Sequence, residues 1–285
     1  MLISPISENQ ASEEVKNCYL DLKRALASQT LPIFFTYIGA FPEYLSYVTN
    51  QLVQNLEDPA FTSLINQLNN EVVTEIHARL QKSKETAEWI SLYKNSPSFY
   101  NFQKDLAGIS LTNAKLACIF ITLREAVKGW AVAAKKLSES TVKRETEREE
   151  LFTEDDFIFD RSVIESYRAI EDKNKDRLPA IKENYLARRS EGAIEKDILP
   201  DYLRISSSDF RQQMKYDYFW TLRVQLEEKV LSVLAMMPHL VFSPYNVIVG
   251  LTQKYENFYE LLYLLSEQFP TLAMQRLMFS GYMMV

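Results

Sequence analysis

Residues Glu13–Leu45, EEVKNCYLDLKRALASQTLPIFFTYIGAFPEYL, decide how the chain reads. Ser12 followed by Glu13 and Glu14 starts a helix, with acidic groups at the positive end of its dipole. Val15, Cys18, Leu22, Ala25 and Leu26 then fall on one face at helical spacing. Leu31-Pro32 breaks that helix. Pro32 and Pro42 each suit the first turn of a new one, which predicts short helices over 32–39 and 42–56. A weaker echo, IKENYLARRSEGAIEKDILPDYLRI, lies at 181–205: Val/Ile-Lys, then Tyr-Leu, then Leu-Pro, in the same order.

Outward from this stretch the pattern stays helical. Pro59 opens a long helix whose apolar stripe is Phe61, Leu64, Ile65, Leu68, Val72, Val73, Ile76 and Leu80. A helix over 83–95 carries Trp89 and Tyr93, and Pro97 precedes an apparent aromatic turn, SFYNF. Leu111–Leu137 is apolar nearly all round and predicts a buried helix. Ser206–Ser208 with Asp209 reads as the cap of a helix running to about residue 237. Its stripe Phe219, Leu222, Leu226, Val230 and Leu234 lies on Phe61, Leu64, Leu68, Val72 and Ile76 at a constant offset of 158, and SPSFYN (96–101) echoes SPYN (243–246). Three echoes in one order predict an all-α chain of two diverged repeats forming a pseudo-dimer. Repeat 1 spans 1–137, an acidic linker 138–160, and repeat 2 spans 161–285.

Composition narrows the function classes. Only six glycines occur, and no GxGxxG, GxxxxGK[ST] or GxSxG is present, which disfavours nucleotide-binding α/β folds. The net charge of −6 arises wholly within 138–160, which holds nine acidic and three basic residues, while each flanking part is balanced. Neither part is the basic surface that nucleic acid or an anionic membrane requires, so neither partner is expected. Cys18 and Cys118 stand alone, which fits a reducing compartment, and MLISPISENQASEE carries no secretion signal; a cytoplasmic location is expected. Glu71, Glu75 and His77 are close in sequence, but Glu75 to His77 is an i, i+2 spacing that sends the side chains to different faces; His239 lacks an acidic partner three positions before it. No metal and no cofactor are expected.

Acid/base chemistry from carboxylates stays open: Asp21 lies beside Tyr19, Asp201 and Arg204 follow Pro200 in LPDYLRI, and Asp217 and Arg223 lie in KYDYFWTLRVQLE. The first copy resembles the group I 2-haloacid dehalogenase family, the all-helical kind acting on both enantiomers. The resemblance is carried by Glu8, Ala11, Glu14, Tyr19-Leu-Asp21-Leu-Lys23, the Leu31-Pro32 break and Phe41-Pro42-Glu43-Tyr44-Leu45, about 45 residues. Lys23 stands where relatives commonly have arginine, and Ala187 takes the place of Asp21 in the second copy. The resemblance implies a pseudo-dimer with a small 2-halogenated carboxylate bound between the repeats, and an aspartate that activates the water displacing halide. Asp201 is the first candidate base and Asp21 the second, with Arg204, Arg223, Tyr19 and Tyr202 as substrate-binding candidates. The alternative is a non-catalytic helical protein that keeps the scaffold and binds a protein or a small carboxylate. An aromatic-lined cavity holding a carboxylate and an arginine favours the enzyme; an exposed aromatic surface favours the binder.

Overall fold

A computed structural model describes residues 3–141 and 198–285. The echo at 181–197 and most of the acidic segment lie outside these residues. Among the described residues the chain is all-helical, with no strand. Helix α1, Glu13–Leu26, is capped by Ser12, whose hydroxyl accepts from the Val15 amide at 3.4 Å. It ends at Ala27, which takes the left-handed conformation (φ 53°) so that its amide and that of Ser28 reach the last carbonyls. Helix α2, Ile33–Ile38, and α3, Pro42–Leu56, follow the two prolines as expected. Gly39 lets α2 approach α1: an added methyl there would overlap the hydroxyl of Tyr19.

Asp58 caps α4, Pro59–Arg79, and Ser83 caps α5, Lys84–Tyr93. Helix α6, Pro97–Thr141, begins at Pro97 and runs straight through SFYNF, because proline at the first helical position needs no amide hydrogen bond. The expected aromatic turn is absent. Helix α7 spans Ile198–Gln213 and α8 spans Asp217–Leu234. The expected cap is absent: Ser206 and Asp209 are buried in the middle of α7 and do not start α8, and Leu199-Pro200 lies within α7. The chain closes with α9, Tyr245–Lys254, α10, Phe258–Tyr263, a π-helical turn at Leu264–Gln268, and α11, Phe269–Met283. Pro270 accounts for the π turn. It has no amide for residue 266, so the turn widens and the Phe269 amide bonds to the Leu264 carbonyl five residues back.

The core is α6 packed on α11. Every residue of α11 except Thr271 is buried, Gln275, Arg276 and Ser280 included, as a helix apolar nearly all round demands. The most apolar stretch of α6 has the length and composition of a membrane span, but 72% of that window is buried inside the protein. Phe34 joins α2 to this core, with ring centroids 4.6 Å from Phe120 and 5.2 Å from Phe269. Cys18 and Cys118 are both buried, and burial pushes the Cys118 thiol up to about 12.

The exposed carbonyls that end any helix need partners, and α11 receives them from four directions. His77 meets the Gly281 carbonyl at 3.0 Å, Tyr202 donates to Met283 at 2.7 Å, and Gln103 donates to the same carbonyl at 3.1 Å. Lys82 donates to Tyr282 and, at 3.2 Å, to Met284. Beneath them Asp209 accepts from the Tyr282 hydroxyl, the Ser83 amide (2.7 Å) and the Thr86 hydroxyl (3.0 Å). Burial pushes its carboxyl up, but these donors outweigh it and hold the group below the usual carboxylate range. Lys82 is pushed by burial down to about 8, with Asp209 opposing.

Candidate functional site

A cavity of about 400 Å³ lies along the seam between α4 and α8, lined by Glu75, Arg79, Leu222, Gln225, Glu228, Lys229 and Ser232. It continues into a smaller one of about 80 Å³, lined by Leu64, Gln67, Glu71, Lys229, Ser232 and Met236. The two helices run antiparallel, since Arg79 donates to Gln225 at 2.7 Å while Leu64 and Met236 share the far end. Their apolar stripes face inward, with Phe61, Leu68, Val72, Phe219, Leu226 and Val230 all buried. The next residues around each helix therefore line the groove: Glu71, Glu75 and Arg79 at i, i+4 spacing on α4, Gln225 and Lys229 on α8.

Lys229 lines both cavities. Its ammonium stands 3.9 Å from Glu71 and 3.8 Å from Glu75, beyond hydrogen-bond distance, so it feels both carboxylates while its donors remain open to the groove. Arg79 is tied more closely, to Glu75 at 3.3 Å. Sequence reasoning weighed Glu71 and Glu75 only as metal ligands and passed over Lys229 and Arg79. The signal was present: Lys229 is the counterpart of Glu71 at the offset of 158.

The residues singled out from sequence do not share one site. Asp201 and Arg204 are exposed on the first turn of α7, 3.9 Å apart, as a solvated pair. Asp21 is half-exposed and paired with Arg24 at 3.1 Å. Tyr19 is buried and donates to the Ile6 carbonyl at 2.9 Å. Beside it Lys23 pairs with Glu8 at 2.9 Å, so these residues fasten the N-terminal segment to α1. Tyr202 is fully buried, stacked on Trp89 at 4.9 Å between Phe99 and Phe102. Arg223 lies on the face of α8 away from the groove, bonded to Glu227 (3.0 Å) and Thr271 (3.1 Å); Arg124 of α6 grips the same Glu227.

Among the described residues no group of three His, Cys, Asp or Glu side chains is placed to hold a metal ion. His77 serves the end of α11, and His239 lies 3.3 Å from Asp58. The groove offers two cations, three carboxylates and a hydroxyl in an open, wet setting. No protein-family model matches the chain, nor does a curated protein or a solved structure.

Proposed function

We propose that the protein is a helical binding protein whose α4/α8 groove takes a small carboxylate-bearing ligand and does not convert it. The observation that carries this reading is Lys229, a cation at the centre of the groove that, among the described residues, is ion-paired with Glu71 and Glu75 but hydrogen-bonded to neither. A carboxylate placed there gains charge-assisted hydrogen bonds from Lys229 and Arg79, and these have to outweigh the repulsion of Glu71, Glu75 and Glu228. A base that activates water must be shielded from bulk solvent yet ionised. Glu71 and Glu75 are partly exposed, and Asp201 and Asp21 stand in water. Calorimetric titration with 2-halo acids and their halogen-free analogues tests the proposal. Both classes are expected to bind alike, and Lys229→Met to weaken them about tenfold. Binding untouched by that change removes the groove from the reading.

Hydrolysis of a 2-halogenated acid is the second reading, favoured by one feature: the groove brings a carboxylate, Glu75, against a guanidinium, Arg79, where the two repeats would meet. A halide-release assay over a substrate panel separates the two. Release that vanishes in Asp201→Asn or Glu75→Gln, in a variant that still folds, establishes the enzyme in place of the binder.

We also propose that the two parts of the chain are related by a pseudo-twofold. About such an axis each contact recurs with partners exchanged, so helices that cross must do so at equivalent positions. At the offset of 158, Glu71 corresponds to Lys229, and these two are neighbours; Val72 and Val230 are both buried beside them. The offset of 147 between SPSFYN and SPYN aligns Phe120 with position 267, and the Phe120 ring lies 5.5 Å from Phe269. On this reading α6 corresponds to α9, α10 and α11 taken together. An experimental structure in which α4–α6 cannot be rotated onto α8–α11 would sink it.

A further inference from the structure

The connection between α8 and α9 lies against α3. Its backbone is held by one row of α3 side chains. Asn55 donates to the His239 carbonyl at 3.0 Å and accepts the His239 amide at 3.1 Å. One turn earlier Gln51 does the same for Phe242, at 3.3 and 3.0 Å, and Tyr47 adds a donor to that carbonyl at 3.1 Å. Tyr44 and Ser243 share a buried hydrogen bond of 3.2 Å. With its polar groups turned inward, the segment turns large apolar side chains outward: Met236 is 55% exposed, Leu240 81%, Phe242 56% and Tyr245 65%.

Two facts say what such a surface meets. No Asp, Glu, Lys or Arg occurs from residue 230 to 253, in a chain whose charged fraction is 25%. Charge depletion with Met and aromatic enrichment is the composition of an interface centre. The segment is also prepared for loss of water. The backbone groups of His239 and Phe242 are already paired, and Pro238 and Pro244 remove two further amides.

We infer that this surface is where a second copy of the chain docks, about a twofold axis passing close to Leu240 and Phe242. In such a contact each residue near the axis meets its own image, so a charge there would repel itself. A segment with no Asp, Glu, Lys or Arg of its own meets that condition, the neighbouring Asp58 being paired with His239. The four exposed side chains leave on the order of 500 Å² in water, taking about 200 Å² for each. Two copies then bury about 1,000 Å² before any rim is counted, which is where specific interfaces begin. The dimer is therefore a reversible one, and of its four side chains only Met236 also lines the α4/α8 groove.

Sedimentation velocity on the full chain, from low to high micromolar concentration, is the test. A monomer–dimer equilibrium that added salt leaves unchanged is expected. Leu240→Asp should raise the dissociation constant roughly 30- to 100-fold, with an unaltered melting transition, because residue 240 is mostly in solvent. Tyr245→Cys should cross-link between copies on oxidation, since Cys18 and Cys118 are buried and supply no competing thiol. A chain that stays monomeric throughout, a dimer that salt dissolves, or one that survives Leu240→Asp each overturns the inference.

Discussion

The end of α11 and the 239–243 segment are held by the same device, side chains binding backbone, yet α11 is buried almost throughout and the segment exposes most of its side chains. At α11 the clamps arrive from α4, α5's approach, α6 and α7, and they close a helix whose side chains already fill the core. Along 239–243 the clamps come from α3 alone, and the side chains they display contribute little burial. The difference teaches what a polar clamp is for. In the first place it satisfies groups that apolar packing has taken out of water; in the second it supplements the modest packing of Met237 and Val241.

The sharpest way to break this comparison is Asp209→Asn. The Tyr282, Ser83 and Thr86 donors all converge on one carboxylate oxygen, which the change turns into a neutral amide oxygen, and about 2–4 kcal/mol of stability should be lost in denaturant unfolding. The sign of the pH dependence follows. A carboxyl held below its unfolded value contributes stability present above about pH 4. That contribution disappears as pH falls through the folded value, and Asp209→Asn should lack that part of the acid limb. Equal acid sensitivity in both proteins would remove Asp209 as a hub.

Gly39→Ala comes next. The methyl must displace Tyr19 from the Ile6 carbonyl, at about 2–3 kcal/mol, and a melting temperature within error of the parent would contradict the close approach. Asn55→Ala should cost about 1–2 kcal/mol and, more tellingly, speed amide exchange at His239 while α11 stays protected. If His239 remains slow, packing rather than the α3 row holds the segment. The smallest effect runs the other way: Ala27→Gly relieves a left-handed alanine and should stabilise by about 0.5–1 kcal/mol.

Helices α1 to α5 were legible in the sequence because local chemistry sets their ends: Ser12, Asp58 and Ser83 as caps, Pro42 and Pro59 in first turns. The same rule misled at Ser206–Asp209, which has the composition of a cap but is enclosed by residues distant in sequence. It misled again at SFYNF, where aromatic bulk suggested a turn and Pro97 began a helix. The clamps on α11 were not readable, since their partners lie 81 to 204 positions away. The groove was half readable. The offset of 158 places Lys229 on Glu71, but only the antiparallel crossing brings them together. As for residues 230–253, the absence of charge is plain in the sequence, while an apolar side chain bound for the core looks the same there as one bound for the surface.

The two buried thiols have a practical consequence. A thiolate is the reactive form, and Cys118, with its proton held to about 12, presents almost none near neutral pH and no path for a reagent. A disulfide-exchange dye can therefore reach it only when α6 leaves the core, whereas Cys18 needs only the α1–α3 contact to part. The two labelling rates give a native-state measure of which half of the molecule breathes first, with no probe added to the chain.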